Sequence, residues 1–139
     1  LTKKKKFMIL ISCLLLIFIL GIGGKKYMDS KRFHEEMLTI VKSDEAKKVI
    51  EEGLRNLDPD ALTSEGIIKS YEIDEESVKH NPMGGIDGVI FINSDKNLDI
   101  LFNLDKNKDN GFSSKYVISG YSNDLKEELK KERENDFYR

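Results

Sequence analysis

The chain has 139 residues, a formal net charge of −2 and a single cysteine, which leaves room for one domain. Its charge is unevenly placed: residues 1–32 carry eight Lys/Arg and one Asp, net +7, and residues 33–139 carry fifteen Lys/Arg and twenty-four Asp/Glu, net −9. The acidic part lacks the basic surface that nucleic acid demands, and with Cys13 lying outside it, it has no intrachain disulfide and no thiol nucleophile.

The first element is an apolar helix. Four lysines, Lys3 to Lys6, precede the uncharged run Phe7 to Gly24, in which Ser12 is the only polar side chain. At about 1.5 Å per residue the run is about 27 Å long, close to the hydrocarbon thickness of a bilayer. It is apolar all round, unlike a core helix with a polar face. Three readings compete. An uncleaved anchor fits a run longer than the usual signal-peptide core. A cleaved signal fits the small-x-small site Gly21-Ile22-Gly23. A lipoprotein fits Leu10-Ile11-Ser12-Cys13, although "LLLIFIL" follows the cysteine where a polar turn is expected. Each reading exports the remainder, and the lysines keep the N-terminus cytoplasmic. Leu1 is read as the initiator at a non-ATG start codon. The expected organisation is an anchor or signal segment over 1–26, an extracytoplasmic α+β domain over 27–122 and a polar helical tail over 123–139.

Helical periodicity follows the anchor. Phe33, Met37, Ile40 and Val41, then Val49, Ile50, Gly53, Leu54 and Leu57, recur at spacings of three and four. Ser43 followed by two acids is an N-cap signal, so the segment is either one helix or two broken there. Asp58-Pro59 stops it, because the residue before proline is pushed out of the α region. From Gly66 the period changes to two. "IIKSYEI", "GVIFIN", "LDILFNL" and "KYVISGY" predict four strands, and "NPMGG", "NSDKN" and "DKNKDNG" are turn chemistry. The implied architecture is α+β: a transmembrane helix, then an amphipathic helical segment covering one face of a four-stranded antiparallel meander. A polar C-terminal helix capped by Ser122 follows, anchored by Leu125 and Leu129 and expected to fray beyond Lys131.

The stretches "KSDEAKK", "GLRNLDP", "LTSEGIIKSY" and "HNPMGG" closely resemble a family of small exported Gram-positive proteins catalogued as domain of unknown function 1310. The resemblance runs from about Met37 to about Tyr121. It implies a lineage and a cell surface, and carries no catalytic residue across. Asp87-Gly88 departs from the apolar or β-forming residues expected at the start of a strand.

Candidate sites are few. The 79–88 stretch holds His80, Asn81, Pro82, Met83, Gly84 and Gly85. His80 carries an imidazole that could serve as a general base, and the glycines could turn amides toward an anion. A strand follows, however, where a phosphate loop needs a helix. A turn with a positive φ at Gly84 or Gly85 explains more, with Met83 as an apolar plug in the core end. Asp105, Asn107 and Asp109 stand at positions one, three and five of a calcium-loop pattern. Its sixth position is Asn110 instead of Gly, and its twelfth is Tyr116 instead of Glu. The histidines have no partners at metal spacing, and the runs Glu35-Glu36, Glu51-Glu52 and Asp74-Glu75-Glu76 read as solvated acids. Most of Tyr71, Phe91, Phe102, Tyr116 and Tyr121 are expected to fill the core, with the rest free to form a stripe on the open face.

No cofactor is implied. The leading expectation is a non-enzymatic module, held in the membrane by residues 7–24, that binds another envelope or secreted protein through the sheet's open face or the 79–88 turn. A cation-responsive domain using the 105–111 loop and an envelope hydrolase centred on His80 are the alternatives.

Overall fold

The structure, a computed structural model, describes residues 2–106 and 111–139. It comprises two units, Leu1–Glu36 and Met37–Arg139.

From Lys3 on, the first unit is part of α1 (Lys3–Val41). This helix is long and apolar enough to cross a membrane, and none of its apolar window is buried against protein. Cys13 is exposed among these apolar residues.

In the second unit, the last turn of α1 buries Met37 and Val41. Ser43 makes the break. Its hydroxyl accepts from the Ala46 amide at 3.2 Å and donates to the Ile40 carbonyl at 2.6 Å, ending one helix and starting α2 (Asp44–Leu57). α2 buries Ala46, Val49, Ile50, Gly53 and Leu54. The predicted stripe was too wide, for Phe33 and Ile40 are exposed.

Past α2, Asp58 is 1% exposed and holds the 58–68 loop together. Its carboxylate accepts from the Asp60 amide at 3.1 Å and from the Ile68 amide at 2.9 Å. A turn-rich link thus becomes a closed loop packed by Ala61 and Ile68.

The sheet is a meander in the order β1 (Tyr71–His80), β2 (Ile86–Ile92), β3 (Asp95–Leu104) and β4 (Ile118–Tyr121), all antiparallel. β1 starts later than "IIKSYEI" implied. Ile67 to Ser70 run beside Asn93, whose side chain accepts from the Lys69 and Ser70 amides and donates to the Ile67 carbonyl. One carboxamide therefore replaces a strand partner there. Asn93 and Ser94 both have positive φ, 53° and 58°, which suits a two-residue hairpin between twisted strands. β1 also runs on through the acids, with its register shifted between Asp74 and Lys79. Ser77 mends the break: its hydroxyl accepts from the Val89 amide at 2.8 Å and donates to the Asp74 carbonyl at 2.6 Å.

One face of the sheet forms the core through Ile86, Ile90, Ile92, Leu98, Ile100, Phe102 and Leu104. β2 begins at Ile86 and passes straight through Asp87-Gly88. Gly88 belongs there because Phe102, directly across the ladder, fills its side-chain space: a Cβ would lie 2.4 Å from the Phe102 ring. The cover is broader than one helix. α3 (Asn123–Phe137) contributes buried Leu125 and Leu129, and continues past Lys131 to Phe137 instead of fraying. Its N-cap is Ser122, which accepts from the Leu125 amide at 3.4 Å.

Candidate functional site

The β1–β2 connection is a built turn. The Gly84 amide donates to the Asn81 carbonyl at 2.9 Å, the Asn81 amide donates to the Gly85 carbonyl at 3.0 Å, and Asn81 Oδ1 accepts from the Met83 amide at 2.8 Å. Gly84 and Gly85 have φ of +118° and +83°, where a side chain would be strained. Gly85 is doubly required, since a Cβ would come 2.7 Å from the Leu104 carbonyl oxygen. His80 ends β1 opposite Ile86 and is exposed, as is Pro82. Met83 overturns the plug expectation: it is 96% exposed. The turn's own hydrogen bonds hold residue 83 at its tip, away from the core end.

Among the described residues the second face of the sheet stands outside the core, and the ladder fixes what it shows. Lys79, Asp87 and Asn103 form one cross-strand row; Asp74, Val89, Leu101 and Gly120 form the next; Glu72, Phe91 and Asp99 form a third. Val89 and Phe91 are half-buried, and Leu101 is 46% exposed. Asn103 donates to Asp87 Oδ1 at 2.6 Å, and its amide nitrogen reaches the Gly84 carbonyl at 3.4 Å. Strand row and hairpin turn are therefore continuous. Together they line a depression of about 790 Å³ that includes Asn81, Met83, Gly84, Asp87, Val89, Leu101, Asn103 and Asp105.

Of the sequence-predicted residues, Asn81, Met83, Gly84 and Asp105 meet at this depression. Asp105 is exposed, with its carboxylate beside Gly84. Asn107 and Asp109 lie outside the described residues. Among the described residues no three His, Cys, Asp or Glu side chains group as a metal site. The sequence reading missed Asp87, Val89, Leu101 and Asn103. A signal was available: "IDGVIFI" and "LDILFNL" carry apolar residues in both phases of the strand, whereas a sheet with one solvated face shows polar residues in the second phase.

The aromatic expectation also changes. Phe102 is the only one of the five fully in the core; Tyr116 and Tyr121 are 71% and 39% exposed, and Phe91 sits in the out-of-phase position of β2. Tyr71 is half-buried against the core, and its hydroxyl donates to Glu51 at 3.2 Å. Burial, reinforced by the Glu51 charge and hydrogen bond, pushes its phenol up to about 12.

No curated protein and no solved structure matches the chain. A family model does, over residues 8–131. Its match runs beyond Met37–Tyr121 at both ends, taking in the apolar helix and part of α3. Each stretch that carries the resemblance also has a place in the fold: Ser43 in the helix break, Gly53 inside α2 against Val117, Asp58 in the α2 exit, Gly66 in the closed loop, and Asn81 with its glycines in the hairpin. The chain belongs to the family described as "Protein of unknown function (DUF1310)".

Proposed function

We propose that the chain is a membrane-tethered, extracytoplasmic and non-enzymatic module that holds another envelope or secreted protein against the open face of its sheet. One observation carries the reading: the out-of-phase row Val89–Leu101 is apolar, sits in a depression of about 790 Å³, and has a 96% exposed methionine at its rim. Apolar side chains left on the uncovered face of a sheet are a cost in water that a partner removes. The turn supports the same surface, because Asn81 and Asn103 offer carboxamides at its edge. The tether rests on residues 7–24, and the four N-terminal lysines favour a cytoplasmic N-terminus.

The test is photo-crosslinking of the full chain in intact cells. A photoreactive residue at Leu101 or Met83 is expected to give one defined adduct, and the same residue at Glu127 on α3 none. Met83→Ala and Asn81→Ala are expected to lower the yield from Leu101. Equal yields from all three positions, or none from any, would refute the reading.

A further inference from the structure

We infer that the partner segment accepted by this face is cationic: an apolar side chain flanked by Lys or Arg. The inference rests on the protein-binding reading above and adds the chemistry of the partner. In the ladder, Glu72, Asp74, Asp87 and Asp99 all fall on the open face, each next to an apolar or amide residue: Glu72 and Asp99 flank Phe91, Asp74 stands beside Val89, and Asp87 beside Asn103. Asp105 and Glu76 add two more carboxylates at the depression. Among the described residues the bases here are Lys79, opposite Asp87, Lys96, beyond Phe91, and Lys42 and Lys47, which line the same hollow as Glu72, Asp74 and Phe91; Lys42 is ion-paired with Glu75. Among the described residues the apolar belt thus has acids along its length, and they outnumber its lysines.

Lysine and arginine suit such a belt because their stems lie on apolar surface while their heads reach the carboxylates. An acidic segment would bring like charges together as the belt dries, which costs free energy. A second copy fits no better. Two identical faces related by a two-fold axis would set the same acids against each other.

The experiment uses the full chain in neutral lipid nanodiscs and three short peptides with the same alternating leucines. The residues between the leucines are Lys in the first, Ser in the second and Glu in the third. The Lys peptide is expected to bind at least about tenfold more tightly than the Ser peptide, with the Glu peptide weaker still. That advantage is expected to disappear near about 0.5 M salt, where screening is short-ranged. It should also fall in the Asp74→Asn, Asp87→Asn double variant, and persist in the charge-matched Asp124→Asn, Glu127→Gln variant on α3. Unfolding temperatures of both variants guard against a loss of fold. Equal binding of the Ser or Glu peptide overturns the charge preference and leaves the binding face in place. Equal loss of Lys-peptide binding in both double variants reduces the effect to the domain's overall charge and overturns it as well. If no peptide binds while the Leu101 adduct persists in cells, the cationic inference alone fails; if both are absent, both readings fail.

Discussion

Gly88→Ala is a test of how β2 and β3 fit together. The added Cβ would stand 2.4 and 2.5 Å from two atoms of the Phe102 ring, well inside van der Waals contact. Phe102 is 1% exposed and among the largest fully buried side chains, so its ring cannot swing into solvent. The cost is steric, because φ at Gly88 lies outside the left-handed region. Overpacking of this kind costs about 1–3 kcal/mol. Taking about 2 kcal/mol, a unit of this size loses about 10 °C in unfolding temperature, at about 4–8 °C per kcal/mol. Phe102→Leu trims the ring that meets the new methyl, so the double variant is expected to lose less than the two single changes added together. Such a coupling is what contacting residues show in a double-mutant cycle. The assay is thermal unfolding of the full chain in detergent micelles, followed by amide exchange in β2, since α1 would dominate a helical signal. An unchanged unfolding temperature for Gly88→Ala, or strict additivity with Phe102→Leu, would refute the reasoning.

Three further outcomes are expected. Asp58→Ala leaves the Ile68 amide buried without its acceptor and frees the Asp60 amide, and should cost about 3 kcal/mol; limited proteolysis within 58–68 is the readout, and wild-type resistance would count against the clamp. Ser77→Ala removes both hydrogen bonds that mend the β1 irregularity, and should cost about 1 kcal/mol with faster exchange at the Val89 amide; unchanged exchange there would show the hydroxyl to be dispensable. Tyr71 holds its proton more tightly folded than unfolded, so the stability it lends is complete below about pH 10 and is lost as pH rises toward about 12. Alkaline unfolding curves should therefore be flatter over that window for Tyr71→Phe, and identical slopes would exclude the linkage.

The local devices were legible because each depends on neighbours in sequence. Ser43 ahead of two acids, the helix stop at Asp58-Pro59, Ser122 before "NDL" and the positive φ of the glycine pair at 84–85 are set within a few residues, and all appear where their chemistry predicts. Strand boundaries were less legible. The start of β1 depends on Asn93, and its continuation through the acids depends on Ser77 bonding to Val89, partners a dozen or more residues away. The position of Met83 was misread for a different reason. Hydrophobicity favours burial on average, but the turn's own hydrogen bonds aim this side chain outward.

By itself the sequence determined the apolar N-terminal helix, the helix-then-meander order and the acidic character of the second unit, because length, periodicity and charge are additive properties of a chain. Only the tertiary structure decided which residues share a face. A one-residue change of register exchanges the two sides of a strand, so the row of Val89 with Leu101, and the acids beside it, exist as a surface only once β1, β2 and β3 are paired. The same pairing turned Asp87-Gly88 from an apparent flaw in a strand into the seat of Phe102.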